Sequence, residues 1–344
     1  MASLLAWRRT CRDAYLLATK ELRRALHSLL ARFIPRPVAF LRHLTRWGAL
    51  VIGAAALSHI LLDFSLCETN LELAVGNLVY EPFIRSLVRL LSVDTGNVAY
   101  VDEPTPPPFP VLRHITRIAR FYLSSGRIIT VYESTTGAAC GVVCGEWTSA
   151  LMNFVTESTL GCAYPRLTLN YRGIICDGRT HVRLGIDDAT YGRLIAKGFE
   201  LSPYSSAWAS FSTGPYSVSV PSVGGCGKML HVCPFHGRFF GDPGSLVIFF
   251  NGFFVDLDTL RDTCVAPYGL MMAWRIPTKG NCEGRCVEDE STLPALVTSI
   301  LFRFTEERPV FNRPSVESRM IRRTVPALPS QRYGSLRLYR TLSL

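Results

Sequence analysis

Apolar positions in the first part of the chain recur with helical spacing. Leu4, Cys11, Tyr15, Ala18, Leu22, Leu26, Leu29 and Phe33 follow one another at steps of three, four or seven, which predicts a helix over 4–33 with a single apolar stripe. Arg8, Arg9, Arg12, Lys20, Arg23 and Arg24 fall mainly on its other faces, and Pro35 and Pro37 end the pattern. From Trp47 to Leu62 the polar face disappears, and 16 residues pass without a formal charge until Asp63. As a helix, residues 47–66 would extend about 29 Å, close to the ~30 Å hydrocarbon core of a bilayer. Their strongly apolar side chains favour insertion by roughly 3–5 kcal/mol in all, against about 2.5–3.5 kcal/mol for an aspartate at the centre and less for Asp63 near the end. Gly48, Gly53, Ala54 and Ala55 would equally suit close packing in a buried helix. A single transmembrane helix over 47–66 is the expectation, with a buried soluble helix as its competitor.

Further on, residues 71–92 carry a helical pattern with Leu87, Leu90 and Leu91 as an apolar patch. Pro104, Pro106, Pro107, Pro108 and Pro110 then predict a stiff, extended linker. Beyond it the period changes to that of strands. Arg127–Tyr132 pairs with Ala138–Val143, and Leu167–Tyr171 with Gly173–Cys176, while Leu246–Phe250 and Phe253–Leu257 flank the hairpin dipeptide Asn251-Gly252. Helices are expected at Trp147–Glu157 and Thr292–Phe304. The fold class is therefore α+β, in five parts. These are a basic amphipathic segment at 1–46, the membrane helix at 47–66, a helix and Pro-rich linker at 67–110, a cysteine-containing mixed body at 111–304, and a flexible Arg-rich tail at 305–344.

Charge sharpens this division. The net charge is +10, and only four of the 37 basic residues are lysine. Nine arginines lie between Arg8 and Arg46 and nine between Arg303 and Arg340, so the basic charge belongs to the ends. A basic amphipathic helix favours an anionic membrane surface or an acidic partner, and an Arg-rich N-terminus also has the composition of a mitochondrial transit peptide. The alternative is a helix packed on the body with its arginines solvated. Lys/Arg before residue 47 and acids after residue 66 would hold the N-terminus cytosolic and export the body, by the positive-inside rule. The tail, with Tyr333 and Tyr339 among its arginines, is the one segment expected to reach nucleic acid.

Ten of the 11 cysteines follow residue 66, which fits either disulfides in an exported body or buried thiols in an intracellular one. The absence of an Asn-x-Ser/Thr sequon weighs against export. Cys226, His231, Cys233 and His236 place thiolate and imidazole ligands within eleven residues, the donor set that structural zinc takes, with Cys282 and Cys286 as further ligands. Their spacing matches no common zinc finger.

Gly241-Asp242-Pro243-Gly244-Ser245 resembles the nucleophile loop of chymotrypsin-like proteases, but Pro243 stands where the serine would attack, so the triad logic fails. His231-Val-Cys233 followed by Pro243-Gly244-Ser245-Leu246 is similar to the Cys/His-rich motif of the adenovirus early-region adaptor family. Ser125 through Glu133, with Gly137, resembles the hairpin of the SUKH superfamily of toxin-immunity proteins, which has viral relatives. Neither resemblance spans enough of the chain to transfer a residue role. No phosphate loop of the Gly-x4-Gly-Lys-Ser/Thr form is present.

These features predict a membrane-anchored interaction or accessory protein of viral type, single-pass, whose cysteine-containing body binds a protein partner. The alternative is a soluble adaptor, cytoplasmic or mitochondrial, with a zinc-stabilised core. An enzyme is not expected. Any catalytic site would draw on His231 or His236, Asp242 and a nearby cysteine, because imidazole titrates near neutral pH.

Overall fold

The computed structural model describes residues 3–4, 10–92, 97–102, 114–176, 185–203, 207–208, 231–232, 238–242, 244–250, 272–274 and 298–299. The expected Pro-rich linker, the strand at Phe253–Leu257 and the Arg-rich tail lie outside them. Of the helix expected at Thr292–Phe304 only Thr298–Ser299 are described, and they form a strand paired with Met272–Ala273.

The stripe expected over 4–33 forms from Arg12 onward, and Cys11 is the exposed N-cap rather than part of it. Helix α1, Arg12–Ala31, buries Tyr15, Ala18, Leu22, Leu26 and Leu29, and Phe33 follows it into the same core. The apolar face is thus spent on the body, and Lys20, Arg23 and Arg24 are left in solvent. Helix α2, Pro37–Trp47, opens on proline and closes on Gly48 in the left-handed region (φ 61°), where a side chain would be strained.

The continuous helix expected over 47–66 is corrected by the structure. Leu50–Ile52 form strand β1, Gly53–Leu61 form helix α3, and Phe64–Leu66 form a 3-10 turn. No helix among the described residues is long and apolar enough to cross a membrane. The run lacks a polar face because β1 is covered on both sides: Val51 joins one core cluster, and Leu50 and Ile52 the other. The helix expected at 71–92 divides likewise into strand β2, Asn70–Val75, and helix α4, Tyr80–Leu91.

The remaining main strands are β3 (Val98–Asp102), β4 (Ile115–Tyr122), β5 (Ile128–Ser134), β6 (Asn153–Val155), β7 (Thr159–Cys162) and, later in the chain, β10 (Leu246–Phe249). They join β1 and β2 in one sheet of order β10-β7-β6-β1-β2-β5-β4-β3. Every pairing is antiparallel except β2 with β5. Helices α1, α2 and α4 cover one face, over Val51, Leu73, Val131, Phe121 and Ile248. On the other face Phe154 packs with Tyr164, Phe240 and Trp274.

Several local readings change. Arg127–Tyr132 is strand, but its hairpin partner is β4, not Ala138–Val143, and a five-residue helix α5 spans Cys140–Cys144. Leu167 belongs to a short helix α6, Pro165–Thr168, and β8, Arg172–Ile174, runs parallel to β9, Glu200–Ser202. The helix expected at Trp147–Glu157 contains β6 instead. Helix α7, Gly185–Ala196, lies between β8 and β9 in sequence.

Two carboxylates fasten helices to the sheet. Glu133, buried on β5, receives two hydrogen bonds from Arg117 (2.7 and 2.9 Å), whose guanidinium also pairs with Glu81 and lies 4.5 Å over the Tyr80 ring on α4. Glu72 on β2 accepts from the Ala54 amide at 3.2 Å, capping α3, and from the Tyr132 hydroxyl at 3.1 Å. Gly53 makes that cap feasible. Its φ is +61°, and a Cβ there would run into the Glu72 carboxylate. A Gly53→Ala variant is expected to lose about 1–3 kcal/mol. Urea unfolding checks this, and an unchanged midpoint would refute it.

Candidate functional site

Beside His231, the described residues Arg238 and Asp242 form a buried structural knot. Arg238 is 1% exposed and meets the Asp242 carboxylate through Nε at 2.5 Å and Nη2 at 2.9 Å. Its remaining N–H groups donate to the carbonyl oxygens of Ala163 (2.9 Å) and His231, and its guanidinium lies 4.7 Å over the Tyr164 ring. Asp242 also accepts from the amides of Gly244 (2.9 Å) and Phe239 (3.3 Å), which folds the Gly-Asp-Pro-Gly-Ser stretch into a turn. Burial works against the guanidinium charge, and Asp242, with Tyr164 and Cys162, more than offsets it. Arg238 also exchanges both backbone hydrogen bonds with Trp274 at 2.8 Å, and Trp274 Nε1 donates to the Tyr164 hydroxyl at 3.3 Å.

This arrangement holds a loop against the sheet. Ser245 Oγ donates to the Asp242 carbonyl oxygen at 3.0 Å and accepts from the Gly241 amide at 2.8 Å. His231 contributes its carbonyl, and burial pulls its imidazole pKa down. Of the four proposed zinc ligands only His231 is described; Cys226, Cys233 and His236 lie outside the described residues. Among the described residues no group of three or more His, Cys, Asp or Glu is placed to hold a metal.

The described cysteines carry free thiols: Cys11 at the surface, and Cys67, Cys140, Cys144, Cys162 and Cys176 in the interior. Cys140 and Cys144 sit one helical turn apart, sulfur to sulfur 3.9 Å. Burial pushes Cys144 well above the usual thiol range and Cys162 up to about 12, so neither holds a thiolate at neutral pH.

The solvent side of the helical layer is different in kind. Helix α1 exposes Lys20, Arg23 and Arg24, Arg36 precedes α2, α2 exposes Arg42 and Arg46, and α4 exposes Arg85 and Arg89. Helices α2 and α4 touch through His43 and Phe83, ring centroids 5.4 Å apart. Three acids belong to the same helices. Asp13 is exposed, Glu21 is engaged by Arg24, and Glu81 by Arg117. Between the cations stand aliphatic side chains that solvent reaches: Leu16 (48%), Leu17 (54%), Val38 (44%) and Leu90 (36%). The sequence marked the basic residues of α1. It did not mark α2 and α4 as packed together, a contact made between residues about forty apart in the chain. Comparison with known proteins finds no matching family model, curated relative or solved structure.

Proposed function

We propose that this chain is a membrane-associated interaction module that docks on an anionic bilayer through the outer face of α1, α2 and α4, with the mixed sheet as a rigid body for a protein partner. One observation carries the reading: eight exposed Lys/Arg on a single helical layer, with exposed aliphatic side chains between them. Each cation near an anionic leaflet contributes about 1 kcal/mol, and the leucines can enter the headgroup region. Nucleic acid is the less favoured partner for this face, because base stacking calls for exposed aromatic platforms, and the rings among these cations, His43 and Trp47, are half-buried.

Vesicle co-sedimentation tests it. The full chain is expected to bind vesicles containing phosphatidylserine, to ignore neutral phosphatidylcholine vesicles, and to be released by high salt. An Arg42→Gln/Arg46→Gln variant should bind about 25-fold more weakly, roughly fivefold for each lost charge. Equal binding to neutral and anionic vesicles would sink the reading. The finer form, a single-pass anchor at residues 47–66, requires that stretch to leave the sheet. Alkaline carbonate separates the two forms, since it releases a surface-docked protein and leaves a spanning one in the pellet.

A further inference from the structure

Three arginines from three different elements converge on the turn that joins α3 to β2. Arg32, just past the end of α1, donates from Nη1 to the Phe64 carbonyl oxygen at 2.5 Å. Arg127, in the turn between β4 and β5, donates to the carbonyl oxygen of Arg32, and its guanidinium lies 5.5 Å over the Phe33 ring. Arg193 comes from α7, which is held against the same turn at two points. Leu194 packs in one cluster with Leu66, and Lys197 pairs with Asp63 at 3.0 Å. All three guanidinia, together with the Glu72 carboxylate, act electrostatically on the Cys67 thiol that closes the turn.

Among the described residues none of the three arginines forms an ion pair with a carboxylate. Asp63 is engaged by Lys197, Glu72 caps α3, and Glu68 on the same turn is exposed. The contacts the arginines do make use little of them. Arg32 and Arg127 each give one N–H to a carbonyl oxygen, and Arg193 gives Nη2 to the Thr190 hydroxyl at 3.0 Å. A guanidinium carries five N–H donors in a planar fork. Arg193 Nε is buried with no acceptor among the described residues, a costly condition for a donor. Helix capping accounts for one hydrogen bond of Arg127. It does not account for three half-buried cations, from α1, the hairpin turn and α7, being held together.

We infer that Arg32, Arg127 and Arg193 form a binding site for a phosphate-type oxyanion. Such a group offers three or more acceptor oxygens and up to two negative charges, which match planar forks approaching from several sides. This site uses different residues from the membrane-docking face and stands or falls separately from it.

Calorimetric titration of the full chain with inorganic phosphate, against chloride of matched ionic strength, tests the inference. Saturable binding is expected in the wild type, at least about tenfold weaker in Arg193→Gln, with the unfolding temperature of that variant in chloride unchanged. If Arg193→Gln does not fold, Arg32→Gln supplies the same comparison. A second arm identifies the source of the anion. Preference for phosphatidic acid over phosphatidylserine vesicles, abolished by Arg193→Gln, assigns the site to a lipid phosphomonoester. Saturable phosphate binding without that preference assigns it to a soluble ligand. If the wild type shows neither saturable phosphate binding nor the vesicle preference, or if Arg193→Gln retains whichever one it shows, the site is refuted.

Discussion

Replacing Asp242 by alanine is expected to lower folding stability by about 3–5 kcal/mol, a large part of the total for a domain of ordinary stability. The carboxylate is the only anion facing Arg238 among its described partners; the others are neutral carbonyl oxygens and an aromatic ring. Its removal strands a guanidinium that is 1% exposed and opens the turn that brings β10 to the edge of the sheet. Removing both charges should be milder. An Arg238→Met/Asp242→Leu variant is expected to recover much of the loss, because the desolvation cost disappears with the pair. Urea denaturation at neutral pH measures all three proteins. A loss below about 1 kcal/mol in Asp242→Ala would mean that the pair is surrounded by more water than its burial implies.

A second large effect depends on pH. His59 lies within α3, fully buried, with neither ring nitrogen hydrogen-bonded among the described residues and the edge of Phe250 nearby (centroids 6.2 Å). Burial pulls its pKa down to about 4. The unfolded chain takes up a proton near pH 6.5, while the folded one refuses it until about pH 4. Stability is therefore complete above pH 6.5 and drains away as pH falls between the two values. The loss is about 2 kcal/mol by pH 5 and about 3 kcal/mol near pH 4. Half-buried His43, whose pKa is lowered by burial and by Arg46, adds to the trend. A His59→Leu variant isolates the larger contribution. Its stability should fall less steeply between pH 7 and pH 5, and a slope equal to that of the wild type would show that the imidazole reaches solvent.

How far the fold was legible depended on whether an element kept one polar side. Helix α1 did. Its stripe could be read from spacing alone, and Tyr15, Ala18, Leu22, Leu26 and Leu29 are all buried. Residues 47–62 did not, because β1 is sandwiched and α3 is buried from Gly53 to Ile60. A run apolar on every side has no period, so membrane helix, core helix and central strand look alike. Ala138–Val143 misled in the opposite direction: a short apolar run read as a strand is the buried helix α5. At β10 the Asn251-Gly252 signal marked the strand, but its described partner is β7, about ninety residues earlier. Such long-range pairing leaves no local trace.

The candidate sites follow the same rule. Asp242 drew attention because the residues around it resembled a catalytic loop, yet its role is set by Arg238 four residues away and by Ala163 and Tyr164 from another part of the chain. The exposed cations were half visible, since those of α1 are contiguous in sequence, whereas α2 and α4 meet only in the fold. Arg32, Arg127 and Arg193 are scattered among 33 arginines, and nothing in the sequence sets them apart.

The position of β1 also fixes an order of events at the ribosome. Val51 pairs with Leu73 on one side and with Val155 on the other. The second neighbour emerges about a hundred residues after the first strand, roughly 5–20 s later at ordinary rates of synthesis. Throughout that interval the nascent chain has one flank of β1 without its strand, and the apolar stripe of α1 waits for Leu160 and Cys162 of β7 to complete its core. This is the period in which a growing chain depends most on chaperones, and it is set by where one three-residue strand sits in the sheet.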